Sequence, residues 1–185
     1  MTEKQLIQAC CKRDRKAQRI LYESYKDSLF MTCCKYSRND TEAEDVFHDV
    51  FITILDKIKT YKGKGSFEGW MKRIAIFKSI DHYKSRKEIP MEIQENQLTE
   101  PSTELDLGRV SIDVILLAIQ QLPDQYRIVF NLYQLDGFTH KEIASMLAIH
   151  EGTSKSNYHR AKALLRKSLA KEQMSTNKKT SNYGA

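Results

Sequence analysis

No stretch of this chain approaches the ~18 consecutive apolar residues of a membrane span, and its amino terminus is polar, so neither membrane insertion nor a signal peptide is expected. A soluble, cytoplasmic protein is the expectation. No strict alternation of apolar and polar residues marks a strand, and no segment repeats. The four cysteines stand as adjacent pairs, Cys10-Cys11 and Cys33-Cys34, without the two-residue spacer of common zinc sites. They read as small hydrophobes at buried or half-buried positions. There is no helix with two His four apart, no phosphate-cradling Gly loop and no paired nucleophile, so no metal, cofactor or catalysis is expected. The close set of acids and imidazole, Asp45, His48 and Asp49, leaves a nuclease as the enzymatic alternative, which a divalent-metal cleavage assay tests.

What is present is positive charge, unevenly placed. Lys and Arg number 30 against 24 Asp and Glu, a net charge of +6, which favours a polyanionic partner. Residues 1–87 hold 19 basic and 12 acidic groups, whereas residues 88–110 hold 1 and 6. Between Glu88 and Asp106 there is no aromatic and no basic residue but there are two prolines, the composition of an extended or disordered linker. Positive ends joined by an acidic middle make two small domains, 1–87 and 111–170, with a linker at 88–110. Residues 171–185 are polar and without periodicity, and are expected to form a disordered tail.

Both domains read as helical, so the fold class is all-α. Thr2 to about Lys12 is a short capped helix, and Asp14 caps a longer one carrying Ala17, Ile20, Leu21, Tyr25, Leu29 and Cys33 at helical spacing. Thr41 with Glu44 suggests a capping box for a third helix, whose Val46, Phe47, Val50, Phe51, Ile54, Leu55 and Ile58 form a core stripe. Its outer face carries Asp45, His48, Asp49 and Asp56. After a Gly- and Lys-rich loop, Ser66 caps a fourth helix in which Phe67, Trp70, Met71, Ile74 and Phe77 supply bulk and Lys72, Arg73, Lys78 and Lys84 supply charge. Tyr61, Phe67 and Trp70 beside Lys62, Lys64, Lys72 and Arg73 offer flat faces for unstacked bases and cations for phosphates. Phe67 and Trp70 suit a core equally well, so base stacking falls first to Tyr61.

In the second domain Ile112, Ile115, Leu116, Ile119 and Leu122 form a helix stopped by Pro123, and Tyr126, Val129, Phe130 and Tyr133 form another ended at Asp136-Gly137. Thr139 and Glu142 make a capping box. A short helix follows, then the interruption Ala148-Ile149-His150-Glu151-Gly152, then a second helix from about Thr153. On that helix Ser154, Tyr158, Ala161 and Leu165 fall inward, leaving Lys155, Asn157, His159, Arg160, Lys162 and Arg166 largely outward. A helix, a tight turn and a basic second helix are the pattern of a DNA-reading helix-turn-helix.

Leu122-Pro123-Asp124-Gln125-Tyr126-Arg127, Asp136-Gly137-Phe138-Thr139-His140-Lys141-Glu142-Ile143-Ala144, Glu151-Gly152-Thr153-Ser154-Lys155-Ser156 and His159-Arg160-Ala161 closely resemble the carboxy-terminal domain of extracytoplasmic-function sigma factors. Ala43 to Phe51, Tyr61 to Ala75, Asp81 and Arg86 resemble the promoter-melting domain of the same family. The resemblance implies a protein that binds core RNA polymerase and opens promoter DNA, with an anti-sigma factor as a further partner. It implies that Asp45, His48 and Asp49 grip a basic coiled coil of the polymerase. Tyr61, Lys62, Lys64, Phe67, Trp70, Arg73 and Phe77 would engage the minus-ten element, and Lys155, Ser156, His159, Arg160 and Lys162 the minus-thirty-five element. Four positions depart from the family pattern: Ala148 where Gly is usual, His150 where a Ser-like cap is usual, His48 for Gln, and Phe77 for a polar residue. The alternative is a helix-turn-helix regulator that acts on closed duplex without polymerase.

Overall fold

The computed structural model describes residues 1–86 and 111–181, the last nine as backbone only. The expected linker, 88–110, lies outside the described residues. The chain divides into two compact units, Met1–Glu88 and Ile89–Ala185. Every regular element among the described residues is helical, as the patterning predicts.

The first unit holds α1 (Glu3–Cys11), α2 (Arg15–Tyr36), α3 (Asp40–Lys57), a 3-10 turn (Ile58–Thr60) and α4 (Phe67–Ser85). Each α-helix start is fixed by a side-chain cap. Thr2 and Gln5 form a reciprocal capping box on α1, Asp14 accepts from the Ala17 amide at 2.9 Å, and Ser66 accepts from the Gly69 amide at 3.0 Å. Such caps satisfy amides that a helix start leaves orphaned, each contributing ~1 kcal/mol. The start of α3 departs from expectation. Its cap is Asn39, which accepts from the Glu42 amide at 2.9 Å, and not Thr41. The Glu42 carboxylate instead accepts from the Arg38 amide at 2.6 Å, meets His82 Nε2 at 3.1 Å and pairs with Arg86. The helix start thus lies two residues earlier than expected, and the Glu42 carboxylate ties it to the far end of α4.

α2, α3 and α4 pack pairwise, and α1 lies against α2 and the 3-10 turn. Leu21, Leu29, Cys33, Val50, Ile54, Phe67 and Met71 are wholly buried between them. Burying each large side chain contributes roughly 1.5–3 kcal/mol. Ile20 is the exception in the expected α2 stripe, being 46% exposed. The thiols are buried at Cys10 and Cys33 and half-buried at Cys11 and Cys34. Burial pushes Cys33 up to about 12, which keeps it an inert hydrophobe.

α1 ends in a Schellman turn: the Asp14 amide donates to the Ala9 carbonyl at 3.2 Å and the Arg13 amide to the Cys10 carbonyl at 2.9 Å. Arg13 takes the left-handed conformation there, φ 61°, at a cost on the order of 1 kcal/mol that glycine avoids.

The second unit holds α5 (Ile112–Gln120), α6 (Asp124–Phe130), a π turn (Asn131–Leu135), α7 (His140–Leu147) and α8 (Glu151–Ser181). Arg127, almost wholly buried, donates from Nη1 to the carbonyls of Gln120 and Leu122 and from Nη2 to Asp124, fastening the end of α5 to the start of α6. The sequence predicts a plain helix up to Asp136. The chain instead widens at Asn131, where the Asp136 amide reaches back to the Asn131 carbonyl at 3.0 Å, and Gly137 turns it at φ 74°. α8 packs on α5, α6 and α7, with Ser154, Ala161, Leu165 and Leu169 buried.

Two expectations for α8 are corrected. Asn157 is buried, 3% exposed, rather than outward. Positions 157 and 158 flank the inward stripe on either side, and the shorter amide is the one wholly covered, while Tyr158 is half-buried. The helix also passes residue 170, where a disordered tail was expected, and continues to Ser181. Leu169 to Met174 is a run of good helix formers, and no Gly or Pro intervenes before Gly184.

Candidate polymerase and nucleic-acid interfaces

On α3 the buried stripe Ala43, Val46, Phe47, Val50 and Ile54 forces the opposite positions outward. Asp45, His48 and Asp49 are all exposed, as predicted. Between Asp49 and Asp56, and three residues on from Asp49, stands Ile52, 59% exposed. Positions 45, 48, 49, 52 and 56 share one helical face, so the acidic surface has an apolar centre. Apolar periodicity could not reveal Ile52, because it lies outside the core stripe.

The loop after the 3-10 turn is bent by Gly63 and Gly65, at φ 70° and 78°, leaving Lys62 and Lys64 exposed. Tyr61 closes this loop on itself: its hydroxyl donates to the Gly65 carbonyl at 2.8 Å. Its ring lies 5.0 Å from Phe67 and 5.6 Å from Trp70. Phe67 is wholly buried, which corrects its expected place at a DNA face. As the first residue of α4 it points into the α2–α3–α4 core, with Tyr25 edge-on at 6.0 Å. Trp70 stacks on it at 5.7 Å and 13° and stays half-buried. Tyr61 is half-buried as well and packs against the core, so it is not the free loop side chain expected. The open aromatic surface is Phe77, 39% exposed, with the Arg73 guanidinium over its ring at 5.7 Å. Lys72 is engaged with Glu68 at 2.8 Å.

In the second unit the capping box predicted at Thr139 is complete: the Glu142 amide donates to Thr139 Oγ1 at 3.3 Å and the Thr139 amide to Glu142 Oε2 at 2.8 Å. α7 ends at Ala148, φ 55°, with the Ile149 amide on the Ala144 carbonyl at 3.0 Å. On α8, Lys155 and His159 are exposed, and Ser156, Arg160 and Lys162 are half-exposed. Lys155 meets Glu151 at 2.7 Å, and the Lys162 ammonium lies 5.6 Å over the Tyr158 ring.

A group of residues whose meeting the sequence did not show holds this helix. Tyr133, in the π turn, stacks on His140 at 4.2 Å and 11° and meets the Tyr158 ring tilted, at 4.7 Å and 57°. The Tyr158 hydroxyl donates to Gln134 Oε1 at 2.6 Å. His140 Nδ1 lies 3.0 Å from Ser154 Oγ. These residues come from three elements, so no spacing along the chain could have joined them. Burial lowers the His140 pKa, as do Lys155 and His159, against the opposing pull of Glu151.

Residues 21–89 match Sigma-70 region 2 and residues 112–165 match Sigma-70, region 4. The chain is 31% identical over 182 residues to the ECF RNA polymerase sigma factor SigW of Bacillus subtilis, covering 91% of this chain and 97% of that one. It is 28% identical over 162 residues to SigE of Mycolicibacterium smegmatis, covering 84% of this chain and 63% of that relative. In fold it is similar to the sigma factor RpoE of Bartonella quintana, solved with the anti-sigma factor NepR, at a TM-score of 0.51 and 18% identity over 82% of this chain and 96% of that one. The chain belongs to the extracytoplasmic-function sigma factors of the sigma-70 family, which bind core RNA polymerase and recognise promoters. Among the described residues no helix is long and apolar enough to cross a membrane.

Proposed function

We propose that residues 1–87 bind core polymerase and open the minus-ten element, and that residues 111–170 dock on the minus-thirty-five duplex. The polymerase contact is the α3 face of Asp45, His48 and Asp49 around Ile52. A basic coiled coil complements those charges, and Ile52 supplies the apolar anchor that a charged rim needs. At the minus-ten element Lys62 and Lys64 meet phosphates, while Phe77 with Arg73, and the exposed edge of Trp70, accept unpaired bases. Stacking and cation–π contact serve any base. At the upstream element Lys155, Ser156, His159, Arg160 and Lys162 face the major groove.

The observation that carries the reading is on α8, where an inner face held by Ser154, Asn157 and Ala161 leaves a cationic outer face open. That arrangement lets one helix both pack and read DNA. The factor acts in the cytoplasm and contributes no catalytic step of its own. An anti-sigma factor as regulator is supported by the resemblance to RpoE, whose structure was solved with one.

The test is transcription from a promoter library by core polymerase plus this protein, with Arg160→Ala and Lys155→Ala compared. A residue that reads a base should cost ~1–3 kcal/mol and relax specificity at one position. A phosphate contact should weaken all promoters alike and lower the salt slope by about one. Normal initiation by both variants would place the reading face elsewhere on α8.

A further inference from the structure

Neither interface uses the corner between α1 and α2. Lys12, Arg13, Arg15 and Lys16 are all exposed there, and none of them is held in an ion pair among the described residues. The acid within this run, Asp14, is engaged as the cap of α2. Lys12 and Asp14 border a shallow depression with Gln5, Gln8 and Ala9. The corner thus presents net positive charge with little internal compensation.

Arg13 adds a second observation. It occupies the left-handed position of the Schellman turn, φ 61°, where glycine sits without strain. A cation kept at a position that favours glycine points to a use for the charge. The corner is also built into the unit that carries the aromatic loop. α1 packs on the 3-10 turn that leads into Tyr61, and Glu3, at its other end, receives the Tyr25 hydroxyl at 3.4 Å. α1 is nine residues long, so the corner and the Glu3 end of the helix stand about 13 Å apart along its axis.

We propose that Lys12, Arg13, Arg15 and Lys16 form a further phosphate-binding surface, which holds the backbone of promoter DNA beyond the stretch engaged by Lys62 and Lys64. The proposal rests on the reading of this unit as the one that engages the opened promoter. It adds a contact that carries no base information, and so sets affinity and salt dependence rather than sequence choice.

The experiment uses holoenzyme formed from core polymerase and the full chain, bound to a promoter duplex and to a fork whose downstream element is single-stranded, over roughly 50–200 mM salt. Arg13→Gly removes one charge and relieves the backbone, so its melting temperature should stay level or rise. Its slope of log affinity against log salt should fall by about 0.9 if the phosphate belongs to duplex, or about 0.7 if it belongs to a separated strand. The fork and duplex arms show which. Combined Lys12→Gln, Arg15→Gln and Lys16→Gln should lower the slope by about two to three units, with core binding unchanged. Slopes equal to wild type in both variants overturn the proposal. So does a salt-independent loss that accompanies weaker core binding, since the corner would then be a protein contact. Lys62→Gln with Lys64→Gln is the control. If this pair lowers the slope while the corner variants do not, only the corner assignment fails; if it leaves slope and opening intact, the reading of the loop fails instead.

Discussion

Ser154 Oγ lies 3.0 Å from Nδ1 of His140, so the first turn of α8 is bonded to the first residue of α7 across the helix-turn-helix. The same imidazole stacks on Tyr133. The groups facing it are Tyr133 and Tyr158 as rings, and Lys155, His159 and Glu151 as charges. Burial first, then Lys155, holds its pKa below the ordinary value of 6.5.

The sign of the pH effect follows. Above about pH 6.5 the imidazole is neutral in folded and unfolded chains alike, and its contribution to stability is complete. As pH falls below that value the unfolded chain takes up the proton first, and the contribution is lost through the lower folded pKa. Thermal unfolding at about pH 7.5 and pH 5.5 should therefore show a larger drop for wild type than for His140→Phe. That variant keeps a ring against Tyr133 but removes the titrating group and the partner of Ser154, so at neutral pH it should be ~1–3 kcal/mol less stable. An equal pH response in both proteins would remove His140 as the cause.

The α3 face yields a prediction in which folding and binding separate. Asp49→Arg reverses an exposed charge, so it should leave the melting temperature within a few degrees while abolishing co-purification with core polymerase. Ile52→Ala should weaken the same association about tenfold, ~1.4 kcal/mol, without loss of stability, because the side chain is already 59% exposed in the free protein. A normal affinity in the Ile52 variant would leave the charges alone as the grip.

Local signals were the legible ones. The caps at Thr2, Asp14, Ser66 and Thr139, the α3 core stripe and the break after α7 at Ala148 all depend on a few adjacent residues, and each stands where the sequence puts it. What escaped depends on contacts between distant parts of the chain. The α3 cap is Asn39 rather than Thr41, and the Glu42 carboxylate goes to His82 and Arg86, forty and forty-four residues on. Phe67 sits in the same periodic stripe whether it is core or surface, and only the closure of α2 and α3 over it decides. The Tyr133, His140 and Tyr158 group requires the π turn, which nothing in the spacing from Tyr126 to Tyr133 foretells.

A third prediction concerns which ring accepts an unpaired base. Tyr61 is tied to Gly65 and packed on Phe67, so Tyr61→Phe should lose ~0.5–1.5 kcal/mol of stability through the missing hydrogen bond while opening DNA nearly as wild type does. Phe77→Ala should do the reverse. Its ring is half-open to solvent, so its loss should barely move the melting temperature, whereas lost stacking of ~1–3 kcal/mol should reduce opening by one to two orders of magnitude. Permanganate reactivity of thymines in the downstream element reads this directly. Full opening by the Phe77 variant would return the role to Trp70 or Tyr61.

The last prediction tests whether the turn between α7 and α8 limits DNA reading. Ala148 sits at φ 55°, where its Cβ meets the following carbonyl oxygen at a cost of roughly 1–2 kcal/mol. Glycine removes that clash but returns roughly 0.5–1 kcal/mol through the greater entropy of the unfolded chain. Ala148→Gly should therefore raise the stability of the second unit by up to about 1 kcal/mol, a rise of about 4–8 °C in a unit of this size. The geometry of α8 is already held by Ser154 to His140 and Tyr158 to Gln134. Affinity for the upstream duplex should consequently change less than twofold. If affinity rises tenfold or more with the melting temperature, the turn rather than the Tyr133, His140 and Tyr158 group sets the position of the reading helix, and the role given to that group is wrong.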